Sequence, residues 1–253
     1  MKELIDTHAH LDMLEGYAEY YIEQAAENGV GKIIIPAIEP EGYPTIVELS
    51  ERFKNVYFQL GLFPSEAKKW KPEFTDIIRE LAKHPKCVGI GEIGLDYYWD
   101  KSFNEKQKEV FIEQIKLANE LKLPITIHDR EAHEDCLKIL DSYNNESKII
   151  FHCFSGDVDF MKQIIERNYF LAIGGIVTFK KASILHEVAK EVPLKNLMLE
   201  TDCPYLAPVP YRGKENQPAY IKYIAEEIAK LKNISVDDII DATTSNAKKV
   251  FNI

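Results

Sequence analysis

The chain has little that would tie it to a membrane, an oxidising compartment or a long stretch of duplex. No apolar run among its 253 residues approaches the roughly 18 that span a bilayer, and Met1–Lys2–Glu3–Leu4 does not open a secretory signal. Its four cysteines, Cys87, Cys136, Cys153 and Cys203, are scattered without a CxxC pair. That usage fits reduced thiols in a cytoplasmic protein better than a disulfide framework. Positive charge is in deficit: 31 Lys and Arg face 41 Asp and Glu, a net charge of −10. A broad basic face for gripping nucleic acid is therefore excluded, and any nucleic-acid chemistry must be local. There is no Gly/Ser-rich linker and no internal repeat. With 45% hydrophobic and 28% charged residues, the composition is neither disordered nor collagen-like.

What is present is alternation. Apolar runs predict strands at Leu4–His10, Lys32–Ile38, Val56–Leu62, Cys87–Gly94, Pro124–His128, Lys148–Phe154, Phe170–Val177 and Leu197–Asp202. Their near-continuous Ile, Val and Phe content fits strands buried on both faces of a parallel sheet. Between them, apolar residues at three- and four-residue steps predict helices, most clearly over Asn104–Leu121. Glu15–Asn28, Glu73–Lys83, Glu131–Ser142, Val158–Arg167, Ser183–Lys190 and Tyr220–Leu231 follow the same rule less regularly. Ser235 with Asp238 caps a last helix reaching about Val250. Eight strands, each followed by a helical or connecting segment, in 1–253 predict an α/β fold: one (β/α)8 TIM barrel as a single domain, with an extra C-terminal helix. A doubly wound open sheet is the alternative, but the Gly-rich phosphate turn it usually carries after its first strand is missing.

Ionisable residues cluster at the ends of these strands. His8 and His10 end the first, Glu92 lies near the end of the fourth, His128 ends the fifth, His152 lies near the end of the sixth and Asp202 ends the eighth. A barrel gathers all strand C-termini on one face, so these six side chains from five strands converge on one mouth. Taken singly, each has an ordinary reading: a His-x-His pair mostly binds nothing, and a lone strand-end carboxylate is often a helix cap. Taken together, four imidazoles and two carboxylates buried in one mouth would be costly without a cation. Six donors exceed one tetrahedral site and suit two divalent ions sharing a bridging carboxylate. Zn, Mg, Mn and Co all remain compatible. His84, His133 and His186 fall in helical or connecting segments and are expected to be solvated.

The motifs occur in a fixed order: Asp6–Thr7–His8–Ala9–His10–Leu11–Asp12, Gly89–Ile90–Gly91–Glu92–Ile93–Gly94–Leu95–Asp96–Tyr97, His128–Asp129–Arg130, His152–Cys153–Phe154–Ser155–Gly156 and Glu200–Thr201–Asp202–Cys203–Pro204–Tyr205–Leu206. Arg212–Gly213–Lys214 with Asn216 and Pro218, then Thr244–Ser245–Asn246–Ala247 before Phe251, complete them. In this the chain resembles the TatD family of metal-dependent hydrolases, within the wider amidohydrolase-like barrels. The resemblance implies that His8, His10, Glu92 and Asp202 hold one metal and Glu92, His128 and His152 the other. It implies a deoxyribonuclease, exonuclease-like on single strands, with a branch that deacylates D-aminoacyl-tRNA.

Two positions depart from the family pattern. Phe63 in Gly61–Leu62–Phe63–Pro64 stands where a phosphate-facing His is usual, and Glu215 where a second Arg is common. Both remove positive charge expected near the mouth. Asp202 is the candidate base for the attacking water, or a ligand without that role, and Glu92 the shared catalytic carboxylate. Arg130 and Arg212 are candidates for clamping phosphate, and Phe63 for stacking on a base or sugar. Asp96, Tyr97, Tyr98 and Trp99 would wall the pocket. Lys68, Lys69, Trp70, Lys71 and Phe74 interleave charge and aromatics as single-strand channels do, although a solvated loop with one packed Trp reads equally well. The leading expectation is a two-metal phosphodiesterase acting on single-stranded DNA ends, such as a 3′ end. The alternative is an amide or ester hydrolase on the same metals, such as a tRNA-end deacylase. A metal-storing barrel comes third. No membrane and no obligate protein partner is expected.

Overall fold

The computed structural model describes residues 2–143 and 147–253; Met1, the first residue of the expected domain range, lies outside them. Eight strands form one parallel sheet in sequence order: β1 (Leu4–Asp6), β2 (Val30–Ile35), β3 (Val56–Leu60), β4 (Cys87–Asp96), β5 (Ile125–Arg130), β6 (Ile149–Phe151), β7 (Phe170–Ile173) and β8 (Leu197–Leu199). Helices α1 (Ala18–Glu27), α2 (Tyr43–Arg52), α3 (Glu73–Leu81), α4 (Asn104–Leu121), α5 (His133–Ser142), α6 (Val158–Glu166), α7 (Ser183–Glu191) and α8 (Ile221–Lys232) follow the strands in turn, and α9 (Val236–Phe251) comes last. This is the expected (β/α)8 barrel with its extra helix.

Alternation along the strands builds two cores. Ile33 and Ile35 join the large cluster between strands and helices, whereas Ile34 joins Ile5, Val88, Ile150, Ala172 and Met198 in a second cluster. The period of two puts these six on the other face of the sheet, inside the barrel. Ala247, Val250 and Phe251 of α9 belong to that inner cluster, so the C-terminal helix plugs the barrel end opposite the strand C-termini. Its start is fixed by the expected capping box between Ser235 and Asp238. Asn246 donates to Leu194 O and Leu197 O at 2.7 and 2.8 Å, giving the Thr244–Ala247 motif a docking role far from the mouth.

Among the described residues no strand ladder joins β8 to β1. The seam closes instead through Thr7 N–H to Leu199 O at 3.2 Å and Asp202 N–H to His8 O at 2.9 Å. Asp6 adds a side-chain staple, accepting from Thr201 N–H at 2.9 Å and from Thr201 Oγ at 2.6 Å. Both residues are fully buried, so these bonds have no water substitute.

Two expectations need correction. The strands at the seam are shorter than their apolar runs: β1 ends at Asp6 and β8 at Leu199, so His8, His10 and Asp202 stand on loops beyond them. Apolar content continues past the ladder because these loops are themselves buried. Helix α2 was not anticipated; its buried Tyr43, Ile46, Leu49 and Ser50 give only a short periodic signal, interrupted by Pro44.

Replacing Asp6 with Ala strands two buried donors on Thr201 and should destabilise the protein by about 3 kcal/mol, read from urea unfolding, whereas Thr201→Val should cost about 1 kcal/mol. Equal, near-zero effects would remove the staple from the account of barrel closure.

Candidate metal centre

The six candidate side chains meet at the strand C-termini as expected. The loop after β1 is held on both sides, by Ala9 N–H to Ile34 O at 3.1 Å and His10 N–H to Cys203 O at 2.9 Å. Glu92 projects from the middle of β4, and His152, just past β6, donates its N–H to Ile127 O at 3.1 Å. Glu92 sits between two sets of donors. Its Oε1 lies 2.7 Å from both His128 Nδ1 and His152 Nε2, which are 3.3 Å from each other. Its Oε2 lies 3.2 Å from His8 Nε2 and 3.8 Å from His10 Nε2. Asp202 Oδ1 completes the second set, at 3.8 Å from His8 Nε2 and 3.6 Å from His10 Nε2.

These spacings suit bound cations. Donors held about 2.1 Å from one ion lie about 3.0–3.4 Å apart in octahedral or tetrahedral geometry, inside the observed spread. The rings of His8 and His152 stack in parallel at 3.9 Å, which protonation of both would disfavour. An all-nitrogen-and-carboxylate set matches Zn, Mn, Co or Mg to different degrees.

Charge coupling within the cluster is strong: burial lowers His10, His128 and His152, but the carboxylates facing them outweigh it and raise all three. Burial alone would raise the Glu92 carboxyl, but the imidazoles of His152, His8 and His128 outweigh it and hold it well below the usual carboxylate range. Burial raises Asp202 too, and His10, His8 and His152 overcome it, leaving it depressed. Burial and the neighbouring His152 lower His8, favouring the neutral ring that can ligate.

Behind the donors stand residues whose role the sequence did not disclose. Asp96, expected as a wall, accepts from His128 Nε2 at 3.0 Å, which leaves Nδ1 as the lone pair facing Glu92. Asp96 is itself fixed by Gln107 of α4, whose side chain receives Asp96 N–H at 2.8 Å and donates to Asp96 O at 2.9 Å. Two helical turns further on, Gln114 repeats this on Leu62 N–H and O at 2.7 and 3.1 Å, setting the approach to Phe63. Glu200 is fully buried, accepts Cys153 N–H through Oε1 and lies 3.8 Å from His152 Nδ1. A carboxylate inside the apolar β8 run was the available signal for it. Gly94 has φ +143°, and a Cβ there would meet His128 O at 2.1 Å, so only glycine lets β4 and β5 approach beside this pair. Backbone in the left-handed region follows the mouth as well: Glu131, Cys153, Asp202 and Leu206 adopt positive φ in loops after strands.

A cavity of about 710 Å³ opens over Glu92, His10, His128, His152 and Asp202. Phe63 and Arg130 line it, as does Trp99. The Phe63 ring meets His128 edge-on at 4.6 Å, so it packs where a hydrogen-bonding His was usual. Tyr97 and Arg212 do not line the cavity. The Tyr97 hydroxyl donates to Asp135 at 2.8 Å, and the Arg212 guanidinium sits 4.4 Å over the Phe179 ring. Glu215 is also away from the mouth: it accepts Glu15 N–H at 2.9 Å and Tyr21 OH at 2.7 Å, tying its loop to the start of α1. The Lys68–Phe74 strip is largely self-paired. Lys68 reaches Asp100 at 3.3 Å, Lys69 reaches Glu39 and Glu66 at 2.5 and 2.6 Å, and Trp70 packs on Phe74 and the core.

The three remaining histidines are not solvated, contrary to expectation; each is half-buried with a partner. His84 accepts Lys86 N–H at 3.2 Å, His186 bonds Val177 O at 2.9 Å, and His133 bonds Asp129 at 2.8 Å while stacking on Phe160 at 4.2 Å. The cysteines are free thiols, and no helix among the described residues is long and apolar enough to cross a membrane.

A closed parallel barrel with a His and carboxylate cluster over its C-terminal face defines a metal-dependent hydrolase of the barrel type. The profile of the TatD-related DNase family matches residues 5–252, and the chain belongs to that family. It is 43% identical over 253 residues to YabD of Bacillus subtilis, named a metal-dependent hydrolase, with 99% of each chain covered. It is 36% identical over 261 residues to the similarly named YcfH of Escherichia coli, covering 99% of this chain and 96% of that one. The crystal structure of the Escherichia coli TatD homolog YjjV superposes with a TM-score of 0.93 at 31% identity, covering 99% and 98% of the two chains.

The Asp129 hydrogen bond raises His133 above its ordinary value near 6.5, outweighing its partial burial. Its contribution to stability is therefore full below about pH 6.5 and lost as pH rises through the raised folded value. The stability difference between wild type and His133→Gln should shrink from pH 6 to pH 9 in urea titrations; an unchanged difference would show the ion pair to be inert.

Proposed function

We propose that this hydrolase is a phosphodiesterase that acts on single-stranded DNA ends through two divalent ions sharing Glu92. The observation that carries this reading is the division of Glu92: one carboxylate oxygen faces His128 and His152, the other faces His8 and His10. Phosphodiester hydrolysis is the chemistry that such paired sites serve best, since attacking and leaving oxygens both carry developing charge. The family description, a TatD-related DNase, supports the choice of substrate.

In this reading His8, His10, Glu92 and Asp202 hold one ion, and Glu92, His128 and His152 the other. When bound, the ions polarise the phosphoryl group and lower the pKa of water. The protein's own groups supply the rest. Asp202, kept ionised and open to the cavity, accepts the proton of the attacking water. Asp96 fixes the His128 tautomer, and Phe63 packs on that ring and limits water on its exposed side.

Purified protein loaded with Mg, Mn or Zn should shorten a labelled single strand, with about two ions per chain by metal analysis. Asp202→Asn, which keeps an oxygen donor, should retain metal and lower kcat by about 100- to 10,000-fold. Parallel loss of metal and activity would make Asp202 a ligand without a proton-transfer role. Turnover of esters or D-aminoacyl-tRNA with no strand cleavage would transfer the site to acyl chemistry, and failure to bind any divalent ion would sink the proposal.

A further inference from the structure

The five arginines divide by their partners. Arg79 and Arg167 bind Glu120 and Asp141 with two nitrogens each, at 2.7–2.9 Å, and Arg52 pairs with Glu19 and Glu48. Arg130 has no carboxylate partner among the described residues. Its guanidinium instead lies 4.0 Å over the Tyr98 ring and 5.5 Å from the Trp99 ring centre. A guanidinium carried on aromatic faces keeps its N–H fork free for an anion. Arg130 is also the only Lys or Arg among the described residues lining the cavity over the metal centre.

The aromatics beside it are open to solvent. Trp99 is 70% exposed and Tyr98 47%, and their rings meet edge-to-face at 4.8 Å. Large apolar rings left this bare on an otherwise well-packed barrel carry a cost in water that a planar ligand would remove. The turn that bears them is nonetheless fixed. Asp96 Oδ1 accepts Tyr98 N–H at 2.9 Å and Trp99 N–H at 3.4 Å, while Asp96 Oδ2 holds His128. One carboxylate thus sets both the candidate metal ligand and the aromatic turn, fixing the spacing between them.

We propose that Trp99, with Arg130, forms a positioning subsite that stacks the nucleobase next to the scissile phosphodiester and grips its neighbouring phosphate. The inference rests on the phosphodiesterase reading above and adds to it the requirement for a base at a defined place. Trp99 stacks on a base of any sequence, because every base offers a π face. Arg130 reads only the backbone charge. The two side chains therefore make separable demands on the substrate.

The test uses intrinsic fluorescence. The chain has only two tryptophans, so Trp70→Phe leaves Trp99 as the sole reporter. The full-length variant is titrated with an octathymidylate and with the same strand made abasic, both with Mg and with chelator. Quenching by the base-bearing strand and not by the abasic one is expected. Trp99→Ala, at a position 70% exposed, is read instead by the anisotropy of a dye-labelled strand; it should weaken the base-bearing strand about 5- to 150-fold and leave the abasic strand unchanged. Arg130→Gln should weaken both strands and lower the salt slope by about one. Equal quenching by both strands, no quenching, or a Trp99→Ala variant that binds both as wild type does would overturn the subsite. Strand cleavage without quenching would remove the subsite alone, whereas quenching without hydrolysis under any metal would remove the phosphodiesterase reading alone.

Discussion

Everything at the mouth depends on keeping one almost wholly buried carboxylate, Glu92, ionised at the floor of the cavity. An isolated buried carboxylate would neutralise rather than stay charged. Here four imidazoles from three separate strand ends surround it, and each is placed by hydrogen bonds remote from the ring. The barrel supplies the convergence, because eight parallel strands direct their C-termini to one ring of loops. The seam supplies the register. His8 and Asp202 are linked through their backbones at 2.9 Å and locked behind by Asp6 and Thr201, so the two ends of the sheet enter the same site. Loss of closure at the seam would thus separate candidate ligands as well as strands.

A second layer of control comes from helix α4. Gln107 and Gln114, seven residues apart on its buried face, satisfy backbone groups at the ends of β4 and β3 as another strand would. Through Gln107 the helix positions Asp96, through Asp96 it orients His128, and through Gln114 it sets the chain leading to Phe63. The polar face of a packed helix is here an alignment device. It explains why two glutamines lie among the core residues of α4 rather than on its solvent side.

The sequence announced the barrel and the convergence of six donors, because both follow from local signals: continuous apolar runs, and ionisable residues at the run ends. It could not show which second residue each donor meets. Asp96 and Glu200 look in sequence like a pocket wall and a strand carboxylate; only the closed barrel brings them to His128 and His152. The same blindness to distant partners hid the Phe160 ring on which His133 stacks, sent Tyr97 to the pocket rather than to Asp135, and placed Glu215 at the mouth when its partners are Glu15 and Tyr21. The apolar runs that continued past β1 and β8 misjudged the strands for another reason. Burial continues beyond the last ladder bond, and hydropathy reports burial, not hydrogen bonding.

The net charge of −10 acquires its meaning from this arrangement. An acidic body repels a polyanion at distances within the Debye length of about 8 Å, so a duplex laid across the surface gains nothing. Many cations on the barrel flank are already paired with carboxylates, as Arg79 and Arg167 are. At the mouth itself the attraction comes from Arg130, and bound divalent ions would offset Glu92 and Asp202. On the phosphodiesterase reading proposed above, charge of this kind would select by access: a flexible strand end would reach a small positive focus more readily than a stiff double helix. The deficit of positive charge is therefore consistent with a nucleic-acid substrate and restricts which form of it can reach Glu92.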